Sequence, residues 1–348
     1  MDRLKRIRDN MEDLKYDTLV AFEPENIFYL TGFWGEAIAV LNKYDLLLIA
    51  PKLEVERAKK SRATVIESER GSDMINILAE NMNGRVCTDC NDYNIFKQLE
   101  KVANVTYNTD IFYNARVIKD DDEINSIKKA SMLLDKLFSI AEKEIKIGMS
   151  ELEIQALLLY EGLKVGLLPT SYKFTLHPLI VASGKNSSLP HAQPTSRKVM
   201  KGDLITIDLT LRYNGYVSDA TRTFAIGSIS SDKKRVYSIV KEAQEEGIKK
   251  VHDGIIAGDI DKVCRDIITK NNYGEYFIHS TGHGIGLEVH EPPWIRANSN
   301  YMLKDRMTIT IEPGIYLNNY GVRIEDSILV TKNGCEILNK YTKDLITV

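Results

Sequence analysis

The sequence predicts an α+β protein: a mixed α/β domain first, then a larger domain built from a repeated α+β unit. Three observations carry this. At 348 residues the chain is too long for one comfortable core and suits two domains. Up to about residue 115, short β-rich runs alternate with amphipathic stretches. Beyond them, a pair of helical patterns followed by a β-rich stretch occurs twice.

The opening segment MDRLKRIRDN is charged throughout. It places Leu4, Ile7, Met11 and Leu14 on one helical face, which reads as a helix and not a secretory leader. Strands are expected at 17–22, 38–42, 45–50, 64–68 and 85–89, with helices at 54–61, 73–82 and 92–102 between them. No Gly-rich phosphate loop or catalytic cluster stands in this part. The segment ARVIKDDDEI (115–124) marks a boundary, giving domains 1–118 and 119–348. Ile124, Ile127, Leu134, Phe138, Ala141 and Ile145 then follow the spacing of a buried helix face, and Gly148 ends that helix. Ser150 and Glu153 form a capping box for the next one. After residue 230 the plan repeats. Val236, Ile239, Val240, Ala243 and Val251 share a helix face, and Asp259 is expected to cap a shorter helix bearing Ile260, Val263 and Ile267.

Charge and composition exclude several classes. Lys+Arg 46 against Asp+Glu 49 leaves a net charge of -3, so there is no basic surface for nucleic acid and no acidic excess of a disordered chain. No apolar run approaches the roughly 20 residues of a membrane span. Four cysteines do not make a disulfide scaffold, and Cys87 and Cys90 lack a second pair at zinc-ribbon distance, so all four read as structural in a cytoplasmic protein.

The two β-rich stretches can be laid over each other. ITID (205–208) is followed by a turn, Gly215 and, four residues on, Asp219; ITIE (309–312) by a turn, Gly321 and, four residues on, Glu325. Asn214-Gly215 is a strong hairpin signal that pairs Tyr213 with Tyr216. That register sets Asp208 opposite Thr221 and Asp219 opposite Thr210, so the two aspartates are diagonal neighbours on one face, within reach of a common ion. Ile205, Ile207, Leu209 and Leu211 point the other way, into a core. If the two units face each other, four carboxylates converge, and burial makes each harder to ionise. Four carboxylates and one imidazole carry -4, which two divalent ions cancel. An oxygen-rich site with one imidazole suits Mn, Co, Fe or Zn. Of the six histidines, three fall in HSTGHGIGLEVHE (279–291). His279 and His283 stand at i, i+4, but the glycines at 282, 284 and 286 argue against a helix, so His283 is expected on a tight Gly-flanked loop as a single ligand. His290, and His191 in ASGKNSSLPHAQP, lie near polar turn residues.

IDLTLRYNGYVSDATRTF, HSTGHGIGLEVHEPP, TIEPGIY and GVRIEDSILV resemble the motifs of the Xaa-Pro dipeptidase (prolidase) and aminopeptidase P family of metallopeptidases. The resemblance spans nearly the whole chain and implies a pseudo-twofold pita-bread catalytic domain. It implies that Asp208, Asp219, His283, Glu312 and Glu325 hold two divalent ions, Mn or Co before Zn or Fe, with a hydroxide bridging them. By the same resemblance Glu312 is the proton carrier, and His191 and His290 hydrogen-bond the substrate and the developing oxyanion. Arg323 pairs with an acid of the site, and His279 is a pocket wall. The implied reaction is hydrolysis of Xaa-Pro dipeptides. The alternatives are an aminopeptidase on longer peptides, a creatinase-like hydrolase and a silent binding module.

Two positions depart from the family pattern. Where relatives tend to carry Phe-Asp before the ASG turn, this chain has His177-Pro178. Where they tend to carry an arginine after HExP, it has Trp294, with Arg296 two residues on as the expected reader of a dipeptide carboxylate, aided by His177 or His279. The resemblance also implies a homodimer, with Phe33 or Trp34 of the exposed-looking FYLTGFWGE (28–36) near the partner's cleft; no nucleic acid or membrane partner is expected.

Overall fold

The computed structural model describes residues 3–170, 177 and 179–348. Its two compact units are Met1–Arg116 and Val117–Val348. The first holds a six-stranded mixed sheet. Thr18–Ala21 and Ile38–Asn42 run antiparallel, as do Ile38–Asn42 and Leu46–Pro51, while Thr64–Ser68, Arg85–Thr88 and Asn104–Tyr107 join in parallel. The five expected strands are present; Asn104–Tyr107 is a sixth, too polar to announce itself. The expected helix at 54–61 is a single turn, Val55–Ala58. Val20, Val40, Ile49, Leu78 and Val86 form the core. The aromatic segment is less exposed than its composition suggests, because Pro24–Thr31 is a helix that buries Tyr29, and Phe33 is buried with Arg57 over its ring at 5.5 Å. Trp34 is half-buried against Phe28.

In the second unit the helix Asp121–Glu144 starts at Asp120, whose side chain accepts from the Glu123 amide while the Glu123 carboxylate accepts from the Asp120 amide. Ser150 and Glu153 close the expected box on Glu151–Lys164. Each half of this unit has its own core. Leu134, Phe138, Ile154 and Leu158 pack under Ile205, Ile207, Leu209 and Leu211; Val236, Val240, Ile260 and Cys264 pack under Ile309, Ile311, Val322 and Ile328. Asp259 does not cap its helix. The N-cap of Ala257–Lys270 is Ile256, and Asp259 lies in the first turn, where a negative charge still meets the helix dipole.

The hairpin Leu204–Tyr213/Tyr216–Ala225 has the expected register, with Tyr213 opposite Tyr216, Asp208 opposite Thr221 and Asp219 opposite Thr210. Asn214 and Gly215 take φ of 51° and 87°, the left-handed pair that such a turn demands. The matching stretch of the other half is broken. Thr308–Ile311 pairs with Asp326–Thr331, and Gly314–Leu317 pairs with Tyr320–Arg323. Gly321 is therefore a strand residue and not a turn glycine. Its lack of a side chain makes room, since a Cβ there would run into the Ser187 carbonyl. Among the described residues no helix is long and apolar enough to cross a membrane, and all four cysteines are free, three of them buried.

Candidate functional site

Asp208 and Asp219 leave the same face of the unbroken hairpin, two ladder positions apart. Thr210, directly opposite Asp219, donates its hydroxyl to Asp219 Oδ1 at 2.8 Å. Glu312 follows the strand Thr308–Ile311 at the point where Pro313 cannot donate to a ladder. Its amide bonds the Thr281 carbonyl at 2.7 Å. Glu325 precedes Asp326–Thr331; its amide bonds the Thr221 carbonyl at 3.1 Å and its Oε2 accepts from Thr221 Oγ1 at 2.7 Å. His283 is not on a loop. It is the middle residue of a three-residue strand, Gly282–Gly284, inserted between Glu291–Ile295 and Thr308–Ile311. The flanking glycines allow this close approach, because a Cβ on Gly282 would strike the Thr310 carbonyl and one on Gly284 the Pro292 carbonyl. His283 Nδ1 donates to the Gly284 carbonyl at 3.0 Å, which turns Nε2 toward the acids, 3.3 Å from Glu312 Oε1 and 4.0 Å from Asp219 Oδ2.

The five side chains thus line one cavity of about 600 Å³. Ligand atoms of Asp219, His283 and Glu325 lie within 4.8 Å of one another. Burial, then the charge of Asp208, pushes the Asp219 carboxyl well above the usual range. Burial, then Asp219 and Glu312, does the same to Glu325. Burial opposes ionising Glu312 too, but the hydrogen bond and charge of His283, with His279 and Arg323, bring it down to about 2. Burial likewise opposes charging His283, and Glu312 overcomes it, so its pKa is raised. Crowded carboxylates, two of them (Asp219 and Glu325) of raised pKa, beside one imidazole are a donor set that fits a hard or borderline divalent cation.

Arg323 crosses beneath the acids, donating to Asp208 Oδ2 at 2.7 Å, to the Tyr316 hydroxyl at 2.7 Å and to the Pro190 carbonyl at 3.1 Å. His279 Nδ1 donates to the Ser280 carbonyl, so its Nε2 accepts from Tyr316, 2.9 Å away. Burial lowers the His279 pKa and keeps the ring neutral. His290 lies 4.3 Å, ring to ring, from His283 and stacks on Trp294; burial, then the His283 charge, lowers its pKa to about 3. His177, His191 and Trp294 line the same cavity. Arg296 does not. The strand Glu291–Ile295 ends before it, and it is exposed at the turn that leads away. Pro178 lies outside the described residues.

Sequence reasoning missed Thr210 and Thr221 as partners of the acids, although the hairpin register placed them opposite Asp219 and Asp208. It also missed two buried supports. Arg222 donates to the Glu325 carbonyl at 2.6 Å and to Asp326 Oδ1 at 2.7 Å. Asp261 accepts from Thr281 Oγ1 at 2.8 Å, holding the segment on which Glu312 hangs. Neither had a local signal, because each acts on a residue distant in sequence.

Residues 125–332 match the model of metallopeptidase family M24, and residues 3–118 match the creatinase/prolidase N-terminal domain. The chain belongs to metallopeptidase family M24. An Xaa-Pro dipeptidase of Pyrococcus furiosus is 34% identical to this M24 peptidase over 351 residues, covering 99% of each. The structure of an Xaa-Pro dipeptidase from Bacillus anthracis aligns with a TM-score of 0.92 at 32% identity over 99% of both chains. That of an X-Pro aminopeptidase from Thermotoga maritima aligns at 0.89 and 33% identity over 100% of both. As an M24 member, the protein is a hydrolase that works with divalent metal, and its second unit is the pita-bread domain of these prolidase structures.

Proposed function

We propose that this M24 peptidase hydrolyses Xaa-Pro dipeptides with two divalent ions, Mn or Co, held by Asp208, Asp219, His283, Glu312 and Glu325. The observation that carries this reading is the meeting of all five side chains in one cavity with His191 and His290. Such ions, once bound, would supply an acidified water and polarise the scissile carbonyl. The residues do the rest. Glu312 takes a proton from the attacking water and passes it to the leaving imino nitrogen. His290, neutral at working pH, donates its one N–H to the substrate carbonyl, with His191 beside it. Arg323 holds Asp208 in place. The test is metal content and Xaa-Pro hydrolysis before and after chelation, with recovery on adding Mn or Co. Turnover that survives complete metal removal would end the reading.

A second reading, cleavage of Xaa-Pro at the start of longer peptides, is favoured by one observation. Among the described residues Trp294 lines the cavity and Arg296 does not, so an uncharged side chain holds the position where the resemblance would put the reader of a dipeptide carboxylate. Comparing an Xaa-Pro dipeptide with its amide and a tripeptide decides between the two; equal rates would select the aminopeptidase. We also propose a cytoplasmic homodimer in which Trp34 borders the partner's cleft, in keeping with half-burial of that indole and with cysteines that form no disulfide. Sedimentation at assay concentration tests it, and a fully active monomer would refute it.

A further inference from the structure

His191 lines the cavity, yet its ring makes no hydrogen bond among the described residues, so its place is decided by the backbone that carries it. That backbone is held by a residue outside the cavity. Glu151, in the first turn of Glu151–Lys164, is fully buried. Its Oε1 accepts from the Ser183 amide at 2.6 Å and the Ser183 hydroxyl at 2.8 Å. Its Oε2 accepts from Asn186 Nδ2 at 2.8 Å, the Thr195 amide at 2.9 Å and the Thr195 hydroxyl at 2.8 Å. One carboxylate thus pins the segment on both sides of His191. The opposite flank is held from the other half of the domain: Arg323 donates to the Pro190 carbonyl at 3.1 Å and the Gly321 amide to Ser187 Oγ at 2.9 Å.

We infer that Glu151 is a positioning residue for the reaction, setting through the 183–195 segment where His191 meets the substrate. The inference rests on the proposed substrate contact of His191. Five donors converge on two oxygens, and only a carboxylate can accept them all. Glutamine offers one oxygen and turns two N–H groups toward other donors, so the ends of the segment part, while the hairpin that carries Asp208 and Asp219 keeps its own ladder and Ser183 stays paired only to its edge at Ile205. A displacement of about 1 Å at a substrate-contacting group is enough to cost on the order of 100-fold in rate.

The experiment compares Glu151→Gln, Glu151→Asp, His191→Ala and the Glu151→Gln/His191→Ala double variant as full-length protein, reading kcat and KM on an Xaa-Pro dipeptide together with bound metal. Glu151→Gln is expected to lower kcat roughly 10- to 100-fold with metal content unchanged. Glu151→Asp, which keeps the charge, is expected to lose less. The double variant should be no slower than His191→Ala by more than about twofold, because both changes remove the same interaction. Losses that multiply, normal turnover in Glu151→Gln, or metal lost in step with activity would each overturn the inference. A His191→Ala enzyme of normal turnover would instead overturn the substrate role of His191, and the inference with it. If Glu151→Gln fails to fold, Glu151→Asp carries the same comparison with His191→Ala.

Discussion

The two halves of the catalytic unit use the same motif and build it differently. In the first, ten-residue strands run through the acids without a break, and Asp208 and Asp219 are diagonal neighbours on an intact ladder. In the second, the strand pairs on either side of the break share one register, which would set Glu312 opposite Glu325, but there the ladder opens at Pro313. The freed amides bond elsewhere, Glu312 to Thr281 beside the histidine strand and Glu325 to Thr221 of the first hairpin. The difference teaches what each half contributes. The intact hairpin is a rigid platform for short acids; the broken one spends its ladder on tying longer acids to both neighbours. The motif glycines diverge likewise, Gly215 serving a turn of positive φ and Gly321 a close approach to Ser187.

If both halves are needed to hold metal, Asp219→Asn and Glu325→Gln should each abolish hydrolysis and lower bound metal while the fold persists by circular dichroism. Two bound ions and normal turnover in either variant would break the equivalence of the halves. Next in size, His290→Ala is expected to cut turnover strongly and keep its metal, since that ring faces the cavity from outside the acids; metal loss in it would mean His290 and not His283 is the ligand. Thr210→Val and Thr221→Val remove the hydroxyls that brace one acid from each half, and each should weaken metal affinity roughly 10- to 100-fold by titration. A loss in one alone would show which half dominates.

Proton linkage sharpens the same comparison. Asp219 and Glu325, one from each half, both have raised pKa, and His283 is raised as well, so loading a divalent ion has to displace protons. Calorimetry in two buffers of different ionisation enthalpy should show proton release, and affinity should fall as pH is lowered. The sign for stability is opposite to that of an ion-paired carboxylate. The folded chain keeps protons that the unfolded one has lost, so without added ion stability falls as pH rises above the ordinary carboxylate range, and added Mn should cancel that fall in melting temperature. The smallest effect is at the turn. Gly215→Ala should cost roughly 1–2 kcal/mol in denaturant melts with activity kept, whereas Gly321→Ala, which meets backbone, should cost more.

Most of the first half was legible in the sequence, since alternation, a two-residue turn and a capping box are local devices whose signals lie within a few residues of their effects. Register followed from Asn214-Gly215, and with it the placing of Asp208 against Thr221. The four carboxylates that line the cavity were legible because the motif repeats, and His283 because its flanking glycines set it apart from a helix. What the tertiary structure alone decided was set by groups far apart in the chain. Glycines at 282 and 284 exclude a helix by their own backbone freedom, but only the approach of Thr310 and Pro292 makes that segment a strand. Gly321 reads as a turn until Ser187 is placed against it. Arg296 reads as a neighbour of Trp294 until the strand ends between them. Glu151, Arg222 and Asp261 carry no local signal, because a buried charge is specified by donors that arrive only when distant elements pack.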